Sequence, residues 1–190
     1  MNDTEINIVL IGPPGSGKGT QAALLSERYQ VPHISTGDML RDEIERGTTM
    51  GREAEVEFSR GEAVNDRLVA AGVLQRLDAE DCARGFVLDG FPLNLEQAAL
   101  LDGVLAELGR GIERVVLLDV PDEVVVSRVA GRKNDSPETI RQRLTTYRSE
   151  SGPLIEAYRD REQLVVIHGD RGIDDVNNEI LEAIAAPVSV

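Results

Sequence analysis

Two kinds of residue in this chain are placed to handle phosphate: one lysine in a glycine-rich turn, and a late cluster of arginines. The turn reads Gly12-Pro13-Pro14-Gly15-Ser16-Gly17-Lys18-Gly19-Thr20. Glycines at this density let backbone N–H groups converge on phosphate oxygens, and a helix starting there adds positive potential. Lys18 supplies a charge for the β and γ phosphates. Of the 20 basic residues only Lys18 and Lys133 are lysine, so general basicity does not explain a lysine here. The residue after Lys18 is Gly19 where the common pattern has Ser or Thr; the hydroxyl comes one place later, at Thr20. Asp89 ends an apolar run and can hold magnesium, directly or through water. Arg128, Arg132, Arg141 and Arg143 form the cationic group. Guanidinium forks spread the negative charge that gathers when a phosphoryl group passes between two anions.

The elements that must carry these residues alternate. Apolar runs at 6–11, 31–35, 86–89, 115–120 and 164–168 read as strands. Helical spacing occupies 18–29, 36–46, 52–60, 66–77, 95–108, 122–131 and 173–185, with Gly47 and Gly51 as interruptions. Pro137 opens a longer helix toward Tyr158, broken at Gly152-Pro153. Strands alternating with helices predict an α/β fold, a five-stranded parallel sheet with helices on both faces. Ligands then sit beyond the carboxyl ends of the strands. The expected organisation is a single domain over 1–190 with its core at 1–34, 65–127 and 137–190. The stretch 35–64 reads as a small inserted subdomain and 128–136 as a very short lid.

Composition narrows the functions. A net charge of −14 repels nucleic acid and anionic membrane. Only 3% of residues are aromatic and Trp is absent, so the core must come from Leu, Val, Ile and Ala. A lone Cys82 forms no internal disulfide, and no Cys/His spacing suits zinc. The polar, acidic first residues lack a basic n-region, so a cytoplasmic, membrane-free monomer is expected.

The variant loop, Ser35-Thr36-Gly37-Asp38-Met39-Leu40-Arg41, Leu88-Asp89-Gly90-Phe91-Pro92, Gln97 and the arginines of 128–143 together resemble the adenylate kinase family, across essentially the whole chain. The resemblance implies reversible magnesium-dependent phosphoryl transfer from ATP to AMP. It implies ATP contacts from Gly12, Gly15, Ser16, Gly17, Lys18, Gly19, Thr20, Arg128 and Arg132. AMP would meet Thr36, Arg41, the backbone of Glu62, Ala63 and Val64, then Gly90, Phe91, Pro92, Leu93, Gln97, Arg132 and Arg143. Lys18, Asp89, Arg128, Arg132 and Arg143 would act on the transferring group. Asp38 would lie in the hydrogen bonding around the metal. Thr36 could equally be a helix cap. No general base is needed, since a phosphate acceptor is already ionised near neutral pH. His33 and His168 are given structural roles.

Two departures from the family stand out. After Asp89-Gly90-Phe91-Pro92 the family has an arginine that grips the AMP phosphate; this chain has Leu93, with Asn94 as a partial substitute. The lid is shorter than in short-lid members and lacks one arginine, while Lys133 offers a charge. Two rival readings follow: a UMP/CMP-type kinase, or a nucleotide-binding protein with weakened kinase activity. Thr36 and Gln97 oppose the first, because the pyrimidine relatives carry Ala and Asn there.

Overall fold

The computed structural model describes residues 5–59, 64–130 and 136–186. In chain order the elements are β1 (Ile6–Ile11), α1 (Lys18–Tyr29), β2 (His33–Ser35), α2 (Thr36–Glu45), α3 (Thr49–Ser59), α4 (Asp66–Leu77) and β3 (Gly85–Asp89). They continue with α5 (Leu95–Glu107), β4 (Arg114–Asp119), α6 (Asp122–Val129), α7 (Pro137–Asp160), β5 (Leu164–His168) and α8 (Ile173–Ala185).

The strands form one parallel sheet in the order β2-β3-β1-β4-β5. Successive side chains of a strand face opposite ways, and here both faces are covered. Ile8 and Leu10 pack with Ala22 and Leu25 of α1 and with Val176 and Ile180 of α8. Val9 and Ile11 face the other way, in a cluster with Val73 of α4, Leu101 of α5 and Leu154 of α7. That two-sided burial is why β1 reads as an unbroken apolar run. The chain leaves β1 toward β2 on one side and later fills β4 and β5 on the other. The switch point therefore falls at the carboxyl end of β1, where ligands bind in such sheets. Among the described residues three α-helices, α2, α3 and α4, and a 3-10 turn at Glu80–Cys82 lie between β2 and β3.

Two expectations about the helices are corrected. α7 does not break at Gly152-Pro153 but runs through Pro153 as one helix. An interior proline costs about 3 kcal/mol, and packing on both sides of it outweighs that. Ser151, Leu154 and Tyr158 are all buried, and the Ser151 hydroxyl donates to the Tyr147 carbonyl at 2.6 Å. Gly51 does not interrupt a helix either; it lies inside α3. A Cβ there would stand 1.9 Å from the Glu43 carbonyl oxygen of α2, so the glycine is where the two helices touch.

Candidate functional site

Pairing between β1 and β3 sets Leu10 opposite Asp89. The loop after β1 and the carboxylate ending β3 are thereby brought to one edge of the sheet. Gly15 has φ of 83°, and a Cβ on it would lie 2.4 Å from a Val129 methyl, so only glycine fits. Lys18 folds back over the loop and donates to the carbonyls of Gly12 at 2.8 Å and Pro13 at 3.1 Å. Burial pulls its ammonium below the ordinary lysine pKa, and the Asp89 charge opposes that shift. The Ser16 hydroxyl is buried without a hydrogen-bond partner among the described residues. Buried polar groups are normally satisfied, and Ser16 lines the cavity over the loop, so its hydroxyl is free to meet a ligand atom there.

A cavity of about 470 Å³ opens over this loop. It is bordered by Lys18, Thr20, Asp89, Arg128, Arg171 and Ile173 among others. Arg128 is exposed on α6 and its Nη1 donates to the Ser16 carbonyl at 3.4 Å. At Gly19 a Cβ would come 3.6 Å from Asp89 Oδ2, so the glycine after the lysine leaves the approach to that carboxylate open. His33 Nε2 lies 3.7 Å from the same oxygen, which puts a residue given a purely structural role beside the candidate metal ligand.

A second group of residues gathers where β2 and β3 end. Ser35, not Thr36, caps α2: its hydroxyl accepts from the Asp38 N–H at 3.3 Å. Thr36 instead donates to the Gly90 carbonyl at 3.0 Å, tying the two strand ends together. Val64 is buried in one cluster with Leu40 and Phe91, leaving backbone rather than side chain for a ligand. Arg41 pairs with Asp38, and that hydrogen bond holds the Asp38 carboxyl below its usual range. Asp38 lines a different groove, with His33, Met39 and Asp42, and not the cavity that holds Lys18.

Asn94 is not available as a stand-in for a phosphate-gripping arginine. Its Oδ1 caps α5 by accepting from the Gln97 N–H at 2.9 Å, and its Nδ2 donates to Asp66 at 2.9 Å. Gln97 is buried; its Nε2 donates to Asp66 at 2.5 Å and its Oε1 accepts from the Leu93 N–H at 2.6 Å. The Leu93 side chain is 41% exposed, so it fills no core position. Arg141 and Arg143 are exposed on α7. Arg132, Lys133, Glu62 and Ala63 lie outside the described residues.

The residues 10–163 match the family model described as adenylate kinase. The chain belongs to the adenylate kinase family. It is therefore an enzyme of phosphoryl transfer between nucleotides. Curated relatives agree over nearly full length. An adenylate kinase of Xylella fastidiosa (strain 9a5c) is 44% identical over 185 residues, covering 94% of this chain and 99% of the relative. Adenylate kinase 1 of Nostoc sp. (strain PCC 7120 / SAG 25.82 / UTEX 2576) is 47% identical over 175 residues, 91% and 95% of the two chains. An adenylate kinase of Stenotrophomonas maltophilia (strain K279a) is 43% identical over 187 residues, 95% and 100%. Among the described residues no helix is long and apolar enough to cross a membrane.

A magnesium ion brought by a nucleotide fits this family member's site. Mg²⁺ usually takes one or two carboxylates together with substrate phosphate oxygens. Asp89 is a single carboxylate on the cavity that also holds Lys18, and Gly19 leaves its front clear.

Sequence reasoning missed Asp66, Gln21 and Asn177. Gln21 donates to the Ile173 carbonyl at 3.0 Å, and its Oε1 accepts from Asn177 at 2.9 Å. This ties the β5–α8 wall of the cavity to α1. The one available signal is position, since Gln21 shares the buried face of α1 with Ala22 and Leu25.

Proposed function

We propose that this enzyme moves the terminal phosphoryl group of magnesium-ATP onto AMP, giving two ADP, and does so reversibly. The observation that carries the reading is the shared cavity of Lys18, Asp89, Arg128 and the unpartnered Ser16 hydroxyl. The printed names of the relatives support the choice of adenylate.

In this reading the loop from Gly12 to Thr20 holds the ATP phosphates with backbone N–H groups and the Ser16 hydroxyl. Lys18 leaves the carbonyls of Gly12 and Pro13 and turns to the β and γ oxygens. Asp89 holds the metal; when bound, Mg²⁺ neutralises charge on the phosphates. The segment 35–64 is the acceptor-binding insertion, and Thr36, Arg41, Val64 and Gln97 place AMP. Arg128 is joined by Arg132 and Arg143 from 128–136 and α7 as the cation set around the transferring group. An AMP phosphate oxygen attacks Pγ, the bond from Pγ to the ADP bridging oxygen breaks, and no proton need move. The work is positioning and charge stabilisation. The residue types Thr36 and Gln97, where the pyrimidine relatives carry Ala and Asn, favour AMP over the pyrimidine alternative.

The test is an acceptor panel. The protein is incubated with magnesium-ATP and AMP, CMP, UMP or GMP, and diphosphates are counted. The reading expects AMP to be the preferred acceptor, with two ADP formed per AMP consumed. Faster transfer to CMP or UMP, or ATP loss independent of any acceptor, contradicts it.

A further inference from the structure

We propose that Asp66 is a positioning residue that fixes which way round the Gln97 amide faces, and so sets the acceptor site for a 6-amino purine rather than a 6-oxo purine. The proposal rests on the reading above, in which Gln97 faces the base.

A glutamine amide has two N–H donors and two acceptor lone pairs, and its two ends are nearly the same shape. Which end points where is settled by its partners. Here both partners are single-valued. The Asp66 carboxylate faces Gln97 as an acceptor, and the backbone N–H of Leu93 can only donate. Asp66 Oδ1 takes one Nε2 hydrogen at 2.5 Å, and the Leu93 N–H takes one Oε1 lone pair at 2.6 Å. Turning the amide over would set oxygen against carboxylate and N–H against N–H. Gln97 is 4% exposed, so water does not relieve either conflict.

Asp66 is itself held. Its Oδ2 accepts from Asn94 Nδ2 at 2.9 Å, and Asn94 cannot turn because its Oδ1 caps α5 on the Gln97 N–H. Two separate elements, the start of α4 and the start of α5, are locked to one another around a single amide. Nothing in cap chemistry requires this: Asn65 already caps α4 and Asn94 already caps α5.

The count then closes on the base. After Asp66 and Leu93 are served, Gln97 keeps one N–H and one lone pair. An N–H beside an acceptor matches adenine, whose N1 accepts and whose 6-amino group donates. Hypoxanthine and guanine carry the reverse pair, an N1–H and a 6-oxo oxygen. Reading them would need the amide turned over, which Asp66 and Leu93 forbid.

The experiment uses the full chain and compares kcat/KM for AMP and IMP at saturating magnesium-ATP. These acceptors differ in the base only at the edge in question. In Asp66→Asn the new amide cannot accept from both Asn94 and Gln97, so the Gln97 orientation is no longer enforced. The AMP-over-IMP preference is expected to fall at least tenfold, through the monophosphate KM, with the ATP KM unmoved. Asn94→Ala, which removes a cap but leaves the bond between Asp66 and Gln97, is expected to melt earlier and keep the preference. A preference unchanged in Asp66→Asn, or lost equally in Asn94→Ala, overturns the proposal. Should Asp66→Asn fail to melt cooperatively, Asp66→Ser, whose hydroxyl can donate as well as accept and so enforces neither orientation, is read in its place with the same two outcomes; wild-type phosphorylation of IMP as efficient as that of AMP also overturns the proposal. Wild-type protein inert toward AMP sinks the underlying reading instead.

Discussion

Replacing Leu93 with arginine should tighten AMP binding without disturbing the fold. Leu93 is 41% exposed, and its N–H is anchored on Gln97 at 2.6 Å, so a new side chain grows outward from a fixed backbone. Surface changes away from special contacts usually alter stability by less than about 0.5 kcal/mol. A hydrogen bond to a charged group contributes roughly 1.5–3 kcal/mol. At a half-exposed site the lower end applies, and about 1.4 kcal/mol corresponds to tenfold. Initial-rate measurements of ADP formation should show the AMP KM falling about tenfold, with the ATP KM unchanged. The gain should shrink as ionic strength rises, because an exposed charge is screened. An AMP KM that stays put in a variant with wild-type melting would refute the reasoning and separate Leu93 from the acceptor phosphate.

Other outcomes follow from single residues. Lys18→Met should lower kcat by at least about 10²–10³, the cost of losing one preorganised donor, while melting is unchanged or raised, since a desolvated cation is removed. Burial lowers the Lys18 pKa in the nucleotide-free chain, so kcat/KM for ATP, which reads the free enzyme, should begin to fall at a pH below the ordinary 10.5. Gly51→Ala should destabilise by about 1–3 kcal/mol, near the upper end because the obstacle is the Glu43 backbone; a lower Tm in calorimetry is the check. Burial raises the Glu113 carboxyl above its ordinary 4.5, so the wild type loses stability as pH climbs through the raised value. Glu113→Gln should melt like wild type below pH 4.5 and above it near neutrality, since its Oε1 can still accept from the Asn7 N–H.

The sheet and its loop were legible because the signals are local. Ile6–Ile11 is apolar without a break because both of its faces are covered, and Gly15 must be glycine wherever it is read. Lys18 declared itself by being a lysine in an arginine chain. What stayed hidden depends on partners far along the chain. Gln97 meets Asp66 from 31 residues away, and Gln21 meets Ile173 from 152 away. No spacing rule pairs such residues. Pro153 and Gly51 misled for the opposite reason: each is a strong local breaker overruled by tertiary contact, one by a buried helix face and one by a neighbouring backbone. Thr36 and Ser35 show the finer limit. Both can cap a helix, and only the Gly90 carbonyl decides that Thr36 is used elsewhere.

The most direct test of end-to-end transfer is a crystal structure with magnesium, AMP and an ATP analogue that cannot donate. The acceptor phosphate should lie in line with the γ position, between Lys18 and the arginines, with its base on Gln97 and Thr36. AMP bound away from the cavity of Asp89 and Ser16, or with its phosphate turned from Pγ, would contradict the account.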